Sequence, residues 1–183
     1  MNKTSIRIYQ IFAGAMFALV AVLLLIDRTV FTALFRGAFS ISIALDLTEA
    51  LAFITLAASA FLAIPVLAAV GGALLGIVNL YYLGNEVYYC VATHKFEAEL
   101  LLYYALLTVA SVLLIIYVLK KKSLFIALLI PGLWLIANMI HMVFGYAGKY
   151  FSVMLHSKNY IALIIPFLAF FGFLIFNPEK EKK

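Results

Sequence analysis

The sequence predicts an all-α, polytopic transmembrane bundle of about six spans, with both ends on the cytoplasmic side (N-in/C-in). Three observations carry that reading. Apolar runs as long as a bilayer is thick recur along the whole chain, charged residues sit in the gaps between them, and lysine and arginine are shared unevenly between alternate gaps. Of 183 residues, 67% are hydrophobic and 11% charged, with a mean hydropathy of +1.16. A soluble domain carries about 25% charged residues, so most of this surface is made for lipid.

A hydrocarbon core about 30 Å thick takes roughly 20 residues per helix. A membrane barrel would instead show strands of about ten residues alternating polar and apolar, which these runs do not. No interval between the runs could bury a core of its own, so residues 1–183 read as a single membrane domain.

The first run, 6–26, follows Lys3 and Arg7 as the core of a signal peptide would. It is long for such a core and meets Asp27-Arg28 without a small-x-small cleavage site, so a retained helix is expected. The next two spans, 41–62 and 66–90, lie in a stretch with no charge between Glu49 and Glu86. As one helix that stretch would reach about 54 Å, far more than the core is thick, so the chain must turn within it. Pro65 is the preferred turn because it lacks an N–H and biases Ile64 away from helix, and Gly71-Gly72 is the second choice. The last three spans are 98–119, 123–146 and 159–176. Residues 29–40, with Phe31, Phe35 and Phe39 around Arg36, are too apolar for a free loop and are expected on the outer interface or folded back over the bundle. The segment 179–183 reads as a solvated stop signal.

With the first end inside, Lys3, Arg7, Lys120, Lys121, Lys122, Lys180, Lys182 and Lys183 fall on the cytoplasmic side. Arg28, Arg36, Lys95, Lys149 and Lys158 fall outside, beside Asp27, Glu97 and Glu99: eight against five. The expected location is the plasma (cytoplasmic) membrane. The formal charge of +5 comes from these short clusters and forms no basic face for nucleic acid. Cys90 is the single cysteine, so no internal disulfide exists. Tyr9, Tyr88, Tyr89, Tyr103, Tyr104, Tyr117, Tyr146, Tyr150 and Tyr160 lie near expected helix ends, where an interfacial ring is wet on one edge.

In lipid, helices associate through close packing, which favours small residues four apart. Gly14 and Ala18 on the first span, and Ala68, Gly72 and Gly76 on the third, are the expected contact faces. They serve either packing within the chain or a partner membrane subunit.

Ionisable and amide side chains at membrane depth are the candidate functional residues, since each costs a few kcal/mol in hydrocarbon, about 3 on the lenient scales. Asp46 and Glu49 share a face of the second span. Asn79, Tyr82 and Glu86 share one on the third, and Trp134, Asn138 and His141 one on the fifth. All three stripes reach the outer half of the membrane, and the cytoplasmic half has almost nothing comparable. The economical arrangement turns them toward one another around an outward-facing cavity. The carboxylates would give it negative potential, Asn79, Asn138 and His141 orienting hydrogen bonds, and Tyr82 and Trp134 an aromatic wall suited to a cation. Buried hydrogen bonds between helices are the structural alternative.

Asp46, Glu49, Glu86 and His141 would suit a divalent cation, but no HExxH, ExxH or cysteine spacing fixes a geometry, so metal and cofactor stay unknown. His94 and His156 belong to outer loops, leaving His141 as the one histidine placed for a haem. No GxSxG, P-loop or GxGxxG is present, and Cys90 has no compelling partner, so an enzyme is the less favoured class.

In size, span number, orientation and outer-side pocket the chain is similar in outline to the substrate-capture subunits of energy-coupling-factor vitamin transporters. Their AxxxA docking signature is matched here only by Gly14 and Ala18. The functional expectation is a small membrane protein that binds a small polar or cationic solute in its outer half, as a transporter component or channel-like element. The alternative is a structural or accessory subunit of a larger membrane complex.

Overall fold

A computed structural model of the protein describes residues 3–26, 40–120, 123–147 and 157–175. Among the described residues there are six helices and no strand: α1 (Lys3–Leu24), α2 (Ile41–Leu62), α3 (Pro65–Thr93), α4 (Ala98–Leu119), α5 (Leu124–Ala147) and α6 (Ser157–Ile175). Each packs against its neighbours in sequence, and α6 returns to pack against α1, so the helices close a ring. The first five are long and apolar enough to cross a membrane, while the described apolar stretch of α6, Ile164–Ile175, is shorter. Large aliphatic side chains such as Ile8, Leu19, Ile54, Ile77, Val109 and Ile136 stand exposed around the ring. In water such a surface would drive association; in a bilayer it is the lipid face. Residues 29–40, apart from Ser40, and the segment 179–183 lie outside the described residues, as does His156.

Pro65 does make the turn. Helix α2 ends at Leu62, Ala63 takes a left-handed conformation (φ 56°, ψ 38°), and Pro65 opens α3 in the first helical turn, where its missing N–H is no loss. Both Ala63 N–H and Ile64 N–H donate to the Ser59 carbonyl, and Ser59 Oγ donates to the Ile64 carbonyl at 2.8 Å. The result is a glycine-type helix end built on alanine. At the other end of α2, Ser40 is the cap whose hydroxyl accepts from Ile43 N–H.

Gly71 and Gly72 sit inside α3 and let it approach both neighbours. A Cβ on Gly71 would lie 2.8 Å from Leu56 Cγ and Thr55 Oγ1 and 3.0 Å from the Ala52 carbonyl, all on α2. One on Gly72 would lie 3.2 Å from Ile115 and 3.3 Å from Leu114, on α4. Gly76 faces Ser111 of α4, Ala68 is fully buried, and Gly14 of α1 lies under the ring of Phe61. The small-residue faces offered by the sequence to a partner subunit are therefore filled from within the chain, because close approach is what lets adjacent helices gain contact in lipid.

Aromatic rings fill the centre. Phe17 of α1 meets Phe170 of α6 at 5.0 Å and Phe53 of α2 at 6.2 Å, while Trp134 of α5 meets Phe170 at 5.3 Å and Phe53 at 6.0 Å. Two side chains complete helix ends on the side of the bundle where α1 begins. Arg7 Nη2 donates to the Phe61 carbonyl at 2.7 Å, and Tyr117 Oη donates to the Leu174 carbonyl at 2.6 Å. Phe61 lies in the last turn of α2, where carbonyls lack an intrahelical N–H, and Leu174 lies near the end of the described part of α6. Tyr117 thus departs from its expected interfacial role: its ring is buried and its hydroxyl ties α4 to α6.

Melting in mild detergent checks this packing. Gly71→Ala should destabilise by about 1–3 kcal/mol through overpacking against α2, whereas Gly84→Ala, whose added Cβ meets nothing within 4 Å, should not destabilise. Ala63→Gly removes the left-handed strain and should raise stability by about 1 kcal/mol.

Candidate functional site

Toward the C-terminal ends of α3 and α5 and the N-terminal end of α4, the end expected to face outward, a continuous run of rings crosses three helices. Successive residues of a helix point about 100° apart, so Tyr103 and Tyr104 serve the two neighbours of α4 separately. Tyr103 stacks on His141 of α5 with centroids 4.8 Å apart, and Tyr104 stacks on Tyr82 of α3 at 5.2 Å with planes only 18° from parallel. The two tyrosines touch edge to face at 4.9 Å, and Tyr81 extends the run beyond Tyr82 at 5.9 Å.

Glu99 closes the run at α5. One turn before Tyr103, it shares the α4 face that looks at His141, and its Oε1 accepts from His141 Nδ1 at 2.8 Å. The two side chains are 23% and 36% exposed, so the pair is neither sealed nor fully in water. Glu99 also lies in the first turn of α4, where the positive end of the helix favours an anion.

Placement of the sequence-chosen residues divides them. His141 and Tyr82 belong to the ring layer and are joined through Tyr103 and Tyr104. Glu86 is half-buried one turn further out on α3, beyond Tyr82. Asn138 donates from Nδ2 to the Trp134 carbonyl of its own helix at 2.9 Å. Asn79 is buried on α3. Trp134 is packed in the aromatic centre against Phe53 and Phe170, two turns inward of His141. Asp46 and Glu49 are half-buried on α2, between α1 and α3, and neither is without a partner. Among the described residues no three of His, Cys, Asp and Glu come together as a metal ligand set, so Asp46, Glu49, Glu86 and His141 do not assemble there as one.

Glu99, Tyr103 and Tyr104 were assigned by sequence to an outer loop charge and to ordinary interfacial rings. The available signal was the i, i+4 spacing of Glu99 and Tyr103 at a helix start, opposite a helix whose polar stripe ends at His141. Comparison with protein-family models, with characterised proteins and with solved structures finds no match. The likeness in outline to vitamin-transporter capture subunits gains no support from these comparisons.

A double-mutant cycle checks the pair. Glu99→Gln and His141→Phe, the latter keeping a ring on Tyr103, should show a coupling of about 1 kcal/mol in detergent melts, the modest value set by partial exposure.

Proposed function

We propose that the protein binds a small organic cation at its outer end, as the binding component of a transporter or a channel-like element. The observation that carries this reading is the ring layer of Tyr82, Tyr104, Tyr103 and His141 with Glu99 at its edge. Aromatic faces attract a cation by about 0.5–2 kcal/mol each, more as water is excluded, and a carboxylate beside them supplies the opposing charge. Among the described residues the acidic side chains, Asp46, Glu49, Glu86, Glu97 and Glu99, belong to segments toward this same end, which would favour an arriving cation. Glu86, Asp46 and Glu49 add negative charge to that half. The chain has no nucleotide-binding motif, so uphill movement of the solute would draw on ion coupling or on an energising partner.

The test is thermal stability of the purified protein in mild detergent with choline, tetramethylammonium and putrescine. Choline's neutral isostere 3,3-dimethylbutanol serves as control. At 100 times the dissociation constant a bound cation should add about 2.7 kcal/mol. The isostere should not, and Glu99→Gln and Tyr104→Ala should each remove the shift. If none of the cations raises the melting temperature and other subunits copurify in stoichiometric amount, the accessory-subunit reading replaces this one.

A further inference from the structure

Deeper than the ring layer, α3, α4, α5 and α6 leave a narrow gap walled by Leu75, Ala110, Ser111, Leu114, Ile130, Trp134 and Phe170. It is too tight to admit a water molecule. Trp134 is one of these wall residues, and its indole Nε1 is fully enclosed and meets no acceptor. Ser111, the other polar member, donates its hydroxyl proton to the Leu107 carbonyl at 2.8 Å. The wall therefore offers aliphatic surface, no charge and one unspent donor. An indole N–H left so costs about 1–3 kcal/mol, and neither lipid nor the packed wall supplies a partner.

The two helices on one side of the gap each carry a proline beside it. Pro131 precedes Trp134 by one turn on α5, and Pro166 precedes Phe170 by one turn on α6. Each proline removes a backbone hydrogen bond from its helix, and interior prolines are where helices kink. Gly132 follows Pro131, and a Cβ added there would meet nothing within 4 Å; Ile130 and Pro131 themselves are buried, so a bend here trades their packing for contact with a guest. The outer segment of α5 beyond this point carries Trp134, Asn138 and His141 together.

We propose that this gap is a second binding site, opened by bending of α5 and α6 at Pro131 and Pro166, for a small and mainly apolar molecule with one hydrogen-bond acceptor that takes the Trp134 indole proton. The class follows from the wall. A charged guest would find no counter-charge, a pure hydrocarbon would leave the donor unpaired, and a ketone- or ether-sized acceptor satisfies it while its body replaces helix–helix contact with Leu75, Leu114 and Phe170. This site is separate from the outer cation reading and does not rest on it.

Trp134 is the only tryptophan of the chain, so ¹⁵N-indole labelling of the full protein in detergent gives one resonance to follow. Titration with cyclohexanone should move the indole proton downfield to saturation, and methylcyclohexane should not. Trp134→Phe keeps the ring and deletes the donor; it should raise the melting temperature without ketone and abolish the ketone's stabilisation. Glu99→Gln should leave the ketone response intact while losing the choline response, which keeps the two sites distinguishable. A shift that grows linearly without saturating, or that methylcyclohexane reproduces, marks partition into detergent and overturns the proposal. Equal stabilisation of wild type and Trp134→Phe by the ketone overturns it as well. The titration of the wild-type resonance decides the matter even if Trp134→Phe does not fold.

Discussion

Lipid gives a chain no hydrogen-bond partners for its backbone and no hydrophobic reward for bringing helices together, and the architecture answers both. Near the C-terminal ends of α2 and of the described part of α6, the Phe61 and Leu174 carbonyls are met by Arg7 from α1 and Tyr117 from α4. Where α2 meets α3, three further hydrogen bonds close on Ser59 and Ile64. Helix contact itself is made by removing side chains: Gly71 admits α2 and Gly72 admits α4 on different sides of α3. With α3 held between two neighbours in this way, the tyrosines of α3 and α4 meet several turns further out without needing a contact of their own to bring them there.

Elements whose cause is local were legible in the sequence. Helix number follows from the length of apolar runs, with five of the six long enough to span, and the turn at Pro65 from its missing N–H and the impossibility of one long helix. The small-residue faces were legible as faces, but sequence spacing alone does not say whether another helix of the same chain or of a different one fills them. Tyr117 was misplaced for a related reason. Its distance from the helix end is that of an interfacial ring, and only the arrival of α6 supplies the carbonyl that draws its hydroxyl inward.

The candidate site was half legible. His141 and Tyr82 stood out because they are polar at depth, yet what joins them is α4, whose Glu99, Tyr103 and Tyr104 each look ordinary at a helix start. A partner chosen across helices leaves no periodic trace in either strand of sequence. Trp134 shows the converse. It shares a stripe with His141, but two turns separate them, and at that depth the surroundings change from hydroxyls and a carboxylate to Phe53 and Phe170. One stripe therefore serves two environments, a polar one near the surface and an apolar one near the centre.

Helix α3 is 29 residues long, about 43 Å, against a hydrocarbon thickness of about 30 Å. Its final turns, with Tyr88 and Val91 exposed, exceed that thickness unless the helix tilts. A helix longer than its host bilayer is thick accommodates by tilting, kinking or locally thickening the bilayer, so a thicker membrane would let α3 stand more upright and a thinner one would tip it. Because Tyr82 is carried on this helix, any such change of tilt would move one side of the ring layer with it.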